Sequence, residues 1–232
     1  MNDTYILAPF SDEWILWNAV TSIFIFILVY FGGNLSKESN STLVKVMLAV
    51  MIFEYVGIQA YYLDKGYWTV QSSLPFHLCR IMWFNAIVVL ITRNQLAFEL
   101  LLFIGMVGGF HSLLTPELTH GADIVLLIDY FLVHGGLVAV PLFCIFGLGM
   151  RPRRFSWIKS FVYFQVLVFL VAIIDYFLGA NYMYLAEKPN VNNPLLMGPW
   201  PYYILVLQLV TLLHASLIYL PFYLKKSFFI NE

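Results

Sequence analysis

The side chains with reactive chemistry are few: five histidines, two cysteines and scattered carboxylates. Two of them, His77 and Cys79, fall with Arg80 in the string Leu-Pro-Phe-His-Leu-Cys-Arg at 74–80. His77 and Arg80 are three residues apart and share a helix face. Cys79 is displaced from Arg80 by about 100°. Arg80 reads either as a structural ion pair with Glu54, Asp129 or Asp175, or as an anchor for a phosphate or carboxylate headgroup, which its planar fork suits. His134 precedes Gly135 and Gly136, which permit close backbone approach. It reads either as a hydrogen-bonded structural imidazole or as a general base. With Cys79 as nucleophile it would make a thioester-forming pair; Thr21, a serine or water are the alternatives. Gln208, Thr211 and His214 form a slowly drifting stripe of the kind that bonds helices together. Glu117 and His120 follow Pro116 in a loop and read as solvated residues. His77, His111, His134 and His214 come from four apolar segments, and neither H-x-x-x-H nor H-E-x-x-H occurs, so we expect no metal and no other cofactor.

These residues must be positioned by elements that are almost wholly apolar. Of 232 residues, 61% are hydrophobic and only 11% charged, against about 25% charged in a soluble domain. With a net charge of -1, no basic face is available for nucleic acid. The chain reads as a polytopic membrane protein. A helix needs about 20 mostly apolar residues to cross a hydrocarbon core of about 30 Å. Seven stretches qualify: 14–31, 43–62, 74–91, 96–113, 124–148, 157–180 and 201–224. Glycine, proline and polar clusters separate them, the tightest being Thr92 to Gln95. The first stretch has Asp3, Asp12 and Glu13 before it and no cleavage motif after it, so it reads as a retained helix and not as a signal peptide. Cys79 and Cys144 lie in different helices and imply no disulfide.

Lys/Arg bias gives the orientation. With the N-terminus outside, Lys37, Lys45, Arg93, Arg151, Arg153, Arg154, Lys159, Lys225 and Lys226 face the cytoplasm, and only Lys65 and Lys188 face outward. Arg80 alone lies within a span. In that frame Asn18, Thr21, Glu54, Gln59, His77, His111, Asp129, His134, Asp175, Gln208 and His214 all fall in the outer half or near the middle. The inner half holds little beyond Glu99, which is expected to snorkel to the interface. This asymmetry predicts a polar cavity open to the outside or to the outer leaflet and closed below. A channel would need polar lining through the full thickness.

Four strings carry a resemblance: Leu-Pro-Phe-His-Leu-Cys-Arg-Ile at 74–81, His-Ser-Leu-Leu-Thr-Pro at 111–116, Asp129 through His134 into Pro141-Leu142, and Tyr-Met-Tyr at 182–184 leading to Gly-Pro-Trp-Pro at 198–201. Together they resemble the YwaF-like family of bacterial integral membrane proteins. That family looks distantly similar to the transmembrane protein 164 acyltransferase of ether phospholipids and to the androgen-induced fatty-acid-ester hydrolases. The resemblance implies an intramembrane cysteine or threonine nucleophile and a histidine on a later helix. His134 matches the histidine. The nucleophile's position falls at Phe76, beside His77, with Cys79 one turn on.

The expectation is an all-α protein, a single seven-helix transmembrane domain over 1–232, N-terminus outside and C-terminus cytoplasmic, in the bacterial plasma membrane. The expected function is a lipid-active acyltransferase or ester hydrolase. His134 would act as base, Cys79 as nucleophile, and Arg80 with His77 would hold the headgroup or oxyanion. His111, Asp129, Asp175, Glu54 and Gln208 would complete the substrate site. The alternative is a proton-coupled transporter, or a small-molecule or lipid binder without catalysis. Membrane lipids are the expected partners.

Overall fold

A computed structural model describes residues 4–191 and 193–224. Asp3, Lys225 and Lys226, which entered the charge count above, lie outside the described residues. Seven helices account for most of the chain: α1 (Asp12–Asn34), α2 (Lys37–Lys65), α3 (Leu78–Thr92), α4 (Gln95–Leu114), α5 (Ile124–Phe146), α6 (Ser156–Leu178) and α7 (Tyr202–Leu224). All except α3 are long and apolar enough to cross a membrane.

Local chemistry sets the ends. Ser11, Ser36, Asn94 and Asp123 each accept a backbone N–H from the first turn of α1, α2, α4 and α5, satisfying donors that a helix start leaves open. Gly66 and Gly179 close α2 and α6 in the left-handed conformation. The tight break between α3 and α4 is made by Arg93 at φ 56° followed by the Asn94 cap.

Two expected boundaries move. α2 begins at Lys37, not at 43, because its first turns are polar yet capped by Ser36. The third helix begins at Leu78, not at 74. Pro75 biases Leu74 away from the helical region, and residues 67–77 run as turns. The 15 residues of α3 rise about 22 Å, short of the roughly 30 Å core.

α5 is the hub, packed against α1, α3 and α4. Close approach is bought with glycine. A Cβ on Gly109 of α4 would sit 2.7 Å from the His134 carbonyl oxygen of α5, and a Cβ on Gly136 would collide with the Trp83 ring of α3. The outer helices α1, α2, α6 and α7 keep broad apolar faces exposed, including Phe26, Phe53, Phe169 and Leu209. In water such faces would drive aggregation; lipid is the solvent that suits them.

The loops at one end interlock. A two-residue strand β1 (Tyr5–Ile6) pairs antiparallel with β2 (Glu117–Leu118), Trp14 donates its indole N–H to the Leu114 carbonyl, and Asn193 donates to Thr115. At the opposite end Asn40 donates to the carbonyls of Gly32 and Gly147. There Glu99 does not snorkel. It is fully buried and accepts from Arg153 at Nη2 (2.7 Å) and Nε (3.0 Å), from the Arg153 backbone N–H (2.7 Å) and from Gln95 (2.9 Å). A carboxylate with this many donors is better satisfied inside the bundle than at the interface, so Arg153 is as much a structural cation as a mark of sidedness.

Candidate functional site

The start of α3 is held by Tyr182, a fully buried ring in a 3-10 turn, Tyr182–Tyr184. Its hydroxyl donates to the Val70 carbonyl (2.8 Å) and accepts from the Leu74 N–H (3.0 Å). The ring meets His77 edge-on at 4.9 Å. Its own backbone N–H donates to Asp175 Oδ1 (2.9 Å). Asp175 therefore fixes Tyr182, and Tyr182 fixes the turn that delivers His77, Cys79 and Arg80.

Arg80 closes an ion triad. Its Nη1 donates to Glu54 Oε1 (2.5 Å), and its Nη2 to both oxygens of Asp129 (2.8 and 2.7 Å). The three side chains are 14, 6 and 13% exposed. Asp175, the third carboxylate proposed for Arg80, is not its partner; it is engaged with Tyr182 instead. The guanidinium donors thus go to α2 and α5. Glu54 Oε2 is buried without a hydrogen-bond partner.

Consecutive helical residues diverge by about 100°, so Cys79 faces elsewhere. It lines a cavity of about 240 Å³. His77, His111, Ser112, Tyr184, Asn193, Gln208 and Thr211 supply polar groups to a wall that is otherwise apolar, with Leu78, Ile104, Leu137, Phe164 and Leu207 among its residues. Part of the wall is a π-helical turn, Leu101–Gly105, within α4; such turns recur at functional sites because they re-aim side chains. His111 Nε2 is buried with no hydrogen-bond partner, and its ring meets His214 edge-on at 4.8 Å. Both cysteines are free thiols.

His134 and Arg80 are not among the residues lining this cavity. His134 is 7% exposed, its Nδ1 lies 2.7 Å from the Tyr130 carbonyl oxygen, and the Tyr130 ring packs at 4.1 Å. A carbonyl only accepts, so Nδ1 carries the proton. Gln208 accepts from Gln165 (2.9 Å), and His214 Nδ1 bonds back to the Val210 carbonyl (2.8 Å). Among the described residues no cluster of three His, Cys, Asp or Glu side chains has metal-binding geometry.

Sequence reasoning assigned no site role to Tyr182, Tyr184, Asn193 or Gln165, although Tyr182 and Tyr184 stand in one of the strings that carried the family resemblance. Tyr184 donates to Glu117 (3.2 Å) and holds the loop over the cavity. None has a spacing signal, because their partners are far away in the chain.

Six membrane-length apolar helices define a polytopic helical membrane protein, and four of them, with α3, line a mostly apolar cavity that carries thiol and imidazole groups. The chain belongs to the TMEM164 family, whose family model matches residues 9–219. An uncharacterized protein of Treponema pallidum (strain Nichols) is 29% identical over 160 residues, covering 69% of this chain. The chain spans 66% of that relative's length. No solved structure matches it.

Proposed function

We propose that this protein is a lipid-active enzyme that transfers or hydrolyses acyl esters within its cavity. One observation carries the reading: Cys79 shares the wall of an apolar cavity with His77 and with His111, whose Nε2 has no partner. A thiol needs a base to become a nucleophile. An imidazole takes the Cys79 proton, sulfur attacks the acyl carbonyl, and the C–O bond to the leaving alcohol breaks as the imidazolium returns the proton to it. A second alcohol, or water, then attacks the thioester and regenerates the thiol. His111 or His77 replaces His134 as the base, because His134 stands off the cavity wall. Arg80, spent on two carboxylates, acts by its field and not as a headgroup clamp.

Family membership supports a membrane role; the YwaF-like subgroup, the seven-span count, the N-out and C-in orientation and a bacterial plasma membrane location are parts of the same proposal. The test uses protein in lipid nanodiscs with an acyl-labelled phospholipid. Intact mass should reveal an acyl adduct on Cys79 that hydroxylamine removes. Cys79→Ala should abolish it, and His111→Ala or His77→Ala should slow it by about a hundredfold or more. Turnover that persists in Cys79→Ala would overturn the assignment. A second reading, proton-coupled transport, is favoured by the two carboxylates that share Arg80; it predicts substrate uptake into proteoliposomes driven by a pH gradient and lost in Glu54→Gln.

A further inference from the structure

A second depression lies at the loop end of α6, next to the cavity, with Leu185 lining both. It is an open groove of about 830 Å³ whose wall includes Gln71, Asp175, Tyr176, Asn181, Glu187 and Trp200. No lysine or arginine is among its described lining residues. Two features point to a ligand. Asp175 is 6% exposed, and while Oδ1 accepts from the Tyr182 N–H, Oδ2 has no hydrogen-bond partner. A buried, half-satisfied carboxylate is costly unless a donor or cation reaches it. The same groove wall carries two aromatic rings, Tyr176 and Trp200, that are 83 and 62% exposed. The indole is held in place by its N–H bond to the Leu185 carbonyl (2.9 Å).

Carboxylates flanked by exposed aromatic faces recognise organic cations, because the ring quadrupole and the negative charge attract the same ligand. An anion would meet two carboxylates with no compensating cation. A neutral apolar ligand would leave Asp175 Oδ2 unpaired. We propose that this groove binds an organic ammonium group, the chemistry shared by a choline or ethanolamine headgroup and a free amine. Asp175 supplies the charge, Tyr176 and Trp200 the aromatic faces, and Glu187 the outer rim. The site shares only Leu185 with the cavity among the described lining residues and does not depend on turnover there.

The probe is tetramethylammonium chloride, titrated into the full chain in a maltoside detergent with sodium chloride as control, read by saturation-transfer NMR on the probe's methyl protons. Saturable binding is expected. Asp175→Asn should weaken it about tenfold or more, and Trp200→Ala about threefold or more. Asparagine still accepts from the Tyr182 N–H, so the fold of Asp175→Asn should hold. If that variant unfolds, Trp200→Ala and Glu187→Gln decide, both being at exposed positions. Nanodiscs separate the sources: weaker probe binding in phosphatidylcholine than in phosphatidylglycerol discs identifies a lipid headgroup, and equal binding in both identifies a free amine. Cys79→Ala should leave binding unchanged, which separates failure of this proposal from failure of the enzymatic one. Absence of saturable binding, or unaltered affinity in Asp175→Asn, or in both rim variants where Asp175→Asn does not fold, overturns the proposal.

Discussion

Replacing Arg80 with methionine should be among the most damaging single changes in the molecule. The guanidinium makes three hydrogen bonds to two carboxylates, and none of the three side chains is more than 14% exposed. Little solvent is present to take over when it leaves. Removing one partner of a buried ion pair costs about 3–5 kcal/mol, because a buried charge is left uncompensated; here two carboxylates lose their cation together. For a chain of this size each kcal/mol moves the melting temperature by about 2–4 °C, so Arg80→Met should melt about 6–20 °C below the parent protein. Arg80→Lys keeps the charge but loses the bidentate grip on Asp129 and should fall between. Glu54→Gln should cost far less than Arg80→Met, since one carboxylate then remains for one guanidinium. The assay is tryptophan-detected thermal unfolding in detergent, with size-exclusion chromatography to establish that each variant is folded at the start. An Arg80→Met protein that melts within about 2 °C of the parent, or a Glu54→Gln protein that melts lower than Arg80→Met, would refute the argument that the guanidinium is the countercharge of this cluster.

Two further outcomes follow from packing and from the loops. Gly109→Ala would push a methyl to 2.7 Å from the His134 carbonyl oxygen and 2.9 Å from Leu137 Cβ, so α4 and α5 must separate; we expect a loss of about 1–3 kcal/mol, read as an earlier unfolding midpoint, and an unchanged midpoint would contradict the close contact. His120, in the loop between α4 and α5, stacks on Tyr67 at 4.5 Å, and burial holds its pKa below the ordinary value of 6.5. A lowered pKa means that the folded protein prefers the neutral ring, so this contribution is fully present above pH 6.5 and is lost as the pH falls through the folded value; NMR titration of His120 should give the low midpoint, and His120→Gln should flatten that part of the stability profile.

The helices were legible because hydropathy runs and breakers survive folding unchanged. Even the tight link at Thr92–Gln95 could be placed, since Arg93 and Asn94 cannot continue a helix cheaply in lipid. Polar helix starts were not legible from hydropathy, which is why α2 begins earlier than its apolar run. Nor was the start of α3, where Pro75 ends a set of turns instead of opening a helix. The π-helical turn and the two-residue β pair leave no pattern in the sequence. The set of buried polar residues was visible, but their partners were not. Glu54, Asp129 and Asp175 lie on three different helices, and no spacing says which of them reaches Arg80. Glu99 was misread for the same reason: its partner Arg153 is 54 positions away and looked like a sidedness mark.

The most consequential misplacement concerns two neighbours in the chain. Cys79 and Arg80 are adjacent, which invites a single site with a nucleophile and an anion clamp. The helix forbids it, because a rotation of about 100° between them sends one into the cavity and the other into the triad. Among the described residues, the cavity wall then holds no lysine or arginine. Its polar groups are imidazole, hydroxyl, amide and thiol, and its remaining surface is apolar. Such a wall accommodates a neutral ester and an acyl chain, and it offers a phosphate no paired charge to offset desolvation. On the proposed reading, a phospholipid would keep its phosphate in the interfacial water and send only its ester and chain inward. The triad sits beside this arrangement as a scaffold: it ties α2, α3 and α5 together one residue away from the thiol and so fixes the direction in which Cys79 points.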